Sequence, residues 1–165
     1  MNTKVVVTGM GIVSPLGNSV AAFWEGLSAG RSGIRPLDDA AFDGIASRIA
    51  GVAEDVVPEG MGSKDLRRYN RYAVFGMEAA DQAWKQSGLD LAKEDPYRCG
   101  VLVGSGIGGL DDINIDSVKM HEGGPRRVSP LMIPRGLVNM GSGAIAIRLG
   151  LLGPNKAIVT ACATG

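Results

Sequence analysis

The apolar positions of this chain follow two periods in turn, and the switches between them mark its elements. "KVVVTGMG" sets three β-branched residues in a row and closes on glycines, which reads as a buried strand and a turn. "SVAAFWEGLSAG" returns to helical spacing, with Asn18 placed to cap it and Gly30 to stop it. "RSGIRPLDDAAFDGIAS" is polar and turn-rich, and "RIAGVAE" reads as a short strand. The strongest helical pattern is "SKDLRRYNRYAVFGMEAADQAWKQSG". There Tyr72, Phe75, Met77, Ala79, Ala80, Ala83 and Trp84 recur at three-to-four spacing and Gly88 ends the run. "DPYRCGVLVGSG" predicts a buried strand and "GLDDINIDSVKMHEG" a helix. "GPRRVSPLMIPRG" has three prolines and predicts a loop or broken segment. "LVNMGSGAIAIRLG" is a helix of small residues suited to close packing, and "KAIVTACATG" is a last buried strand running into Cys162.

Strands that are apolar throughout and alternate with helices predict an α/β layered architecture, its sheet covered on both faces. No linker divides the chain and no repeat recurs, so residues 1–165 read as one unit. A chain of this length buries roughly 68–70% of its unfolded surface, enough for a real core. With 45% hydrophobic and 21% charged residues the composition is that of an ordinary globular protein. The net charge of zero argues against a general nucleic-acid binder, although a local basic patch stays open. The N-terminal apolar run is too short for a secretory signal, and no stretch nears the ~20 apolar residues of a membrane span. Two cysteines, Cys99 and Cys162, then read as reduced thiols of a cytoplasmic protein.

Glycine is abundant, 25 of 165 residues, and this weakens any glycine motif. "GSGIGG" at Gly104 to Gly109 fits the dinucleotide-binding pattern, following a strand and preceding a helix. That reading needs a second strand ending in an acid ~20 residues on. "HEGGPRRVSP" lies there instead and cannot be a central strand. "GSGAIA" from Gly141 matches the relaxed pattern inside a helix. The glycines read as turn-formers at the sheet end.

Cys162 follows an apolar strand and has small neighbours, Ala161, Ala163 and Gly165. A nucleophile on a tight strand-to-helix turn needs such neighbours because the backbone is crowded there. A following helix would lower the thiol pKa. A buried structural cysteine gives the same local pattern, so the residues alone leave both readings open. Cys99 has nothing comparable around it and reads as core.

Four segments carry a resemblance: "VVVTGMGIVSPLGN", "VLVGSGIGGL", "GGPRRVSPLMIPRGLVNM" and "GLLGPNKAIVTACATG". In order and spacing the chain resembles the β-ketoacyl-acyl carrier protein synthase II family, condensing enzymes of the thiolase fold. The resemblance implies a thiolase-like layered α-β fold, of which this chain is the N-terminal half, a mixed sheet covered by helices. It implies decarboxylative Claisen condensation in fatty-acid or polyketide elongation. Cys162 would take an acyl group from an acyl carrier protein, and a malonyl thioester on a second carrier would lose CO₂ and attack it. The cysteine of this family opens a buried helix, and its own N–H is one of two oxyanion-hole donors. The family's two histidines and lysine belong to the second half of the fold. His121, the single histidine, matches neither histidine segment and reads as a solvated or interface residue.

The same resemblance puts Ile107 beside the acyl pocket and Met132 at a position that reaches across a homodimer interface. Lys64, Arg67 and Arg68, at i, i+3 and i+4, fall on one helical face and match carrier-docking positions. No cofactor, metal, nucleic acid or membrane is implied. A non-catalytic, chain-length-setting subunit of the same fold is the alternative, and Cys162 speaks against it because such subunits usually lack the cysteine. A binding module with a Rossmann-like sheet is a third reading, opposed by the missing acidic strand end. Without the histidines this chain alone is expected not to condense. The apolar face left uncovered by half a fold is expected to drive self-association.

Overall fold

The computed structural model describes residues 3–38 and 40–164. In chain order the elements are helix α1 (Val20–Ser28), strands β1 (Ile34–Pro36) and β2 (Ile49–Gly51), a short helix α2 (Ser63–Leu66) and the long helix α3 (Arg71–Ser87). Strand β3 (Val101–Gly104), helix α4 (Leu110–Gly123), helix α5 (Met132–Gly136), helix α6 (Asn139–Leu149) and strand β4 (Asn155–Ile158) follow. Strands β1 and β2 pair antiparallel; β3 and β4 pair parallel, with Val101 opposite Asn155 and Gly104 opposite Ile158.

The core lies where α3 meets α6 above the β3–β4 pair. Val74 and Met77 of α3 pack with Ala144 and Ile145 of α6, Val101 of β3 and Leu151. Trp84, Leu91, Val103 and Cys99 close around them, so Cys99 is the packing residue its surroundings predict. The small residues of α6 let the two helices approach. Gly141 lies against the Tyr72 ring, with no room for a side chain. At the rim Arg148 of α6 grips Asp81 of α3 through Nε (2.7 Å) and Nη2 (2.6 Å). The carboxylate holds that guanidinium above its ordinary pKa.

Helix boundaries follow the local chemistry. Gly88 ends α3 and Gly150 ends α6, both in the left-handed region at φ 68° and 69°. The cap of α1 is Ser19, one residue beyond the predicted Asn18; its hydroxyl accepts from the Ala22 N–H at 3.2 Å. The carbonyl of Asn18 instead accepts from Gln82 of α3.

Three expectations are corrected. The predicted continuous helix from Ser63 is broken. α2 stops at Leu66, and Asn70 caps α3 by accepting from the Tyr72 N–H at 3.1 Å. The predicted buried strands are buried only in part, with Val101 of β3 in the core. Val5, Val6 and Val7 are 95, 71 and 82% exposed and form no strand, while Leu102 in β3 and Ile158 in β4 stay exposed. Each β-branched run reports a wish for burial, and among the described residues the neighbours that would satisfy it are missing. A strand at Ile34–Pro36 also went unpredicted. Pro36 hides it, since a proline is tolerated in a strand only at an edge such as this.

Candidate active site

Strand β4 ends at Ile158, and the backbone then turns sharply. Ala161 is the one described non-glycine residue with positive φ, at 48°. A left-handed residue just ahead of Cys162 lifts the following side chain off the strand line. Cys162 sits in the single turn Ala161–Ala163, with its side chain exposed and its thiol free. The turn is closed on itself. Thr164 Oγ1 accepts from the Thr160 N–H at 2.9 Å, and the Thr164 N–H donates to the Ala161 carbonyl at 3.1 Å. Gly165 lies outside the described residues. Thr164 packs its methyl on Gly104, where a Cβ would collide, so the glycine at the end of β3 lets the cysteine turn seat there.

A second turn, Ser105 to Gly109, stands beside it. Gly106 lies against Ala161, so Ile107 is carried next to the cysteine turn, and its side chain is exposed. Three of the five backbone donors of this turn are already used. Ser105 N–H donates to the Ile158 carbonyl (3.3 Å), Gly108 N–H to Ser105 Oγ (3.0 Å) and Gly109 N–H to the Gly136 carbonyl (3.2 Å). A phosphate-binding loop needs those amides free. The glycine motif thus serves close approach of main chains, here to the carbonyls of Arg135 and Gly136.

Met132 opens α5, half-buried, and the far end of that helix is what touches the Ile107 turn. Tyr72 fixes the joint between α5 and α6. Its hydroxyl donates towards the Leu137 carbonyl (2.6 Å) and accepts from the Gly141 N–H (3.2 Å). Burial pushes the Tyr72 phenol above its usual pKa, against the opposing pull of the Gly141 amide.

Lys64, Arg67 and Arg68 are all exposed, but they do not share one long helix. Lys64 is in α2, Arg67 caps it and Arg68 follows in the turn. His121 is exposed in the last turn of α4. Among the described residues no group of three or more His, Cys, Asp or Glu side chains could hold a metal ion, and no helix is long and apolar enough to cross a membrane.

Sequence reasoning missed one constellation entirely. Buried Asn70 donates to Asp111 (2.7 Å) and Asp112 (2.8 Å), and Asp112 is paired with Arg135. Only the two acids at the head of α4 hinted at it, and helix-start acids are ordinary.

A family profile described as "Beta-ketoacyl synthase, N-terminal domain" matches residues 2–165. The 3-oxoacyl-[acyl-carrier-protein] synthase 2 of Coxiella burnetii is 42% identical over 163 residues, 98% of this chain and 39% of that protein. The enzyme of the same name from Vibrio harveyi is 44% identical over the same shares. Among solved structures, "The ishigamide ketosynthase/chain length factor" superposes with a TM-score of 0.85 at 28% identity, over 97% of this chain and 40% of that one. The chain therefore spans about two-fifths of the length of these relatives. Both the thiolase-like fold and the sequence agree that this chain belongs to the β-ketoacyl synthase family and corresponds to its N-terminal domain.

Proposed function

We propose that these residues form the nucleophile-bearing part of a condensing enzyme that extends an acyl chain by two carbons through an acyl-cysteine intermediate. The observation that carries this reading is the Cys162 turn: an exposed thiol, set up by Ala161 at φ 48°, on a self-closed loop between small residues. The Cys162 thiolate attacks the carbonyl of an acyl thioester, and the carrier thiol leaves with the proton. A malonyl thioester loses CO₂, and its carbanion attacks the acyl-cysteine carbonyl, releasing the Cys162 thiolate. The names of the curated relatives support an acyl carrier protein as the acyl source. Ile107 is the residue beside the growing chain, Met132 borders the pocket across a homodimer, and Lys64, Arg67 and Arg68 dock the acidic carrier. The 165-residue chain alone does not condense, because among the described residues no histidine or lysine side chain is brought to Cys162 to assist decarboxylation; losing such a group costs about 10²–10⁴-fold in rate.

The test is acylation by an acyl carrier thioester, read by mass on the Cys162 peptide in a protein that includes the remaining part of the fold. Wild type and Cys99→Ala acquire the acyl mass, and Cys162→Ala does not. An acyl adduct on the Cys162→Ala protein would sink the assignment. A wild-type protein that never acylates would favour the second reading, a chain-length-setting subunit, to which the ketosynthase/chain length factor likeness also points.

A further inference from the structure

Four separate pieces of the chain are linked through Asp112 and Arg135. Asn70, 6% exposed, uses both ends of its amide: Oδ1 caps α3, and Nδ2 donates to the carboxylates of Asp111 and Asp112 at the head of α4. The second oxygen of Asp112 accepts from Arg135 Nη2 in α5. Arg135 Nη1 reaches back to the Arg67 carbonyl at 3.4 Å. Asp112 is 8% exposed, so the pair sits in a poorly screened setting where geometry is held firmly.

The location of this knot gives it a consequence. The carbonyls of Arg135 and Gly136 press directly on Gly109 and Gly108, and the Gly109 N–H donates to Gly136. The turn that carries Ile107 thus has two anchors. One is main chain, Ser105 to Ile158 of β4, beside the cysteine turn. The other is α5, and α5 is held against α4 by the Asp112–Arg135 pair. Resting on the reading of Cys162 and Ile107 given above, we propose that Asp112 and Arg135 are positioning residues: they fix where Ile107 stands beside the Cys162 turn and so set which chain lengths the thiol accepts. Neither touches the reacting atoms. Removing the pair loosens the second anchor, which keeps its main-chain bond from Gly109 to Gly136, while β4 keeps the first, so Ile107 shifts relative to Cys162 and the cysteine turn itself stays in place.

The 165-residue protein can be probed with n-alkyl methanethiosulfonates. The Cys162 thiolate attacks the sulfenyl sulfur, a disulfide forms, and methanesulfinate leaves with the electron pair of the broken S–S bond. The reading is the ratio of hexyl to methyl rate constants at Cys162, with the Cys99 peptide resolved separately by mass. Arg135→Gln changes that ratio by about threefold or more while the methyl rate holds, and Arg135→Lys, which keeps the charge beside Asp112, returns it towards wild type. Asp112→Asn shifts it in the same direction and leaves its unpaired charge on Arg135, the more exposed partner, so it decides the matter should Arg135→Gln fail to fold. A wild-type ratio in folded Arg135→Gln or in Asp112→Asn overturns the proposal, even if stability falls. An unchanged ratio in Ile107→Ala also overturns it, because the turn would then not meet the chain. Acyl transfer from a pantetheine thioester is measured separately: its absence would sink the condensing reading and leave the ratios as found.

Discussion

The α3–α6 interface and the N-terminal run Val5–Val7 are built from the same kind of apolar side chain, with opposite fates. Met77 is 1% exposed, whereas Val5 is 95% exposed. The difference lies in the partners. Met77 finds Ile145 and Ala144 some seventy residues away, on a helix whose small residues admit α3 closely. Just beyond the valines, Gly9 and Gly11 also press on α3, against the carbonyls of Ala83 and Ala79, and Gln82 and Gln86 take up the Ile12 and Met10 amides. The segment is therefore anchored at one end and bare at the other. An apolar pattern states what a segment requires; the rest of the fold decides whether it is met. In this chain the α3–α6 core carries its own cover and the N-terminal run does not.

The sharpest way to test that contrast is to remove one side chain from each region. Met77→Ala leaves a cavity in the core and should cost about 2–5 kcal/mol, seen as a lower urea midpoint at unchanged slope. A loss below about 1 kcal/mol would mean the α3–α6 contact is looser than its burial states.

The same contrast explains what was legible in the sequence. Gly88 was readable as a helix end because a left-handed cap is a local requirement. The small neighbours of Cys162 fitted a tight turn after a strand and a buried core cysteine equally; the structure shows the turn with the side chain exposed, and the role of the thiol remains the proposal above. The break at Asn70 was not readable. Nothing in the apolar period of residues 63–87 sets Asn70 apart; its side chain caps α3 on the Tyr72 N–H, and the carboxylates that hold its amide, Asp111 and Asp112, lie 41 and 42 positions on. The Asp112–Arg135 pair was hidden for the same reason, and so was the exposure of the three valines. Local periods carry local facts; side-chain pairs made between distant segments and missing neighbours leave no period.

A smaller effect belongs to the joint between α5 and α6. Tyr72→Phe keeps the ring against Gly141 but strips the Leu137 carbonyl and the Gly141 N–H of their partner, at a cost of about 1–3 kcal/mol by chemical denaturation. The sign with pH follows from the raised phenol pKa. Folding favours the neutral phenol, so its contribution is fully present below the ordinary tyrosine value near 10 and is lost as pH rises through the folded value. Wild type should lose stability on that alkaline limb, and Tyr72→Phe should lose less. Identical alkaline limbs would show that the hydroxyl is free to ionise where it stands.

The smallest effect within one chain is expected at Val6, and it tests the bare side of the comparison. Val6→Asp removes an exposed side chain that makes no core contact, so stability of the isolated chain should change by no more than about 0.5 kcal/mol. Its effect should appear instead in association. An exposed, flat, β-branched run is a template for pairing with a second copy, and a charge there blunts it. Binding between copies stabilises the folded state by mass action, so the wild-type urea midpoint should climb with protein concentration. In Val6→Asp the midpoint should stay level, and sedimentation should give a lighter species. Two outcomes would break the argument: a wild-type monomer at tens of micromolar, or a Val6→Asp protein that associates as wild type does. The second would move the sticky surface to the other exposed apolar positions, such as Leu102 of β3 and Ile158 of β4, where the layered sheet also stands uncovered.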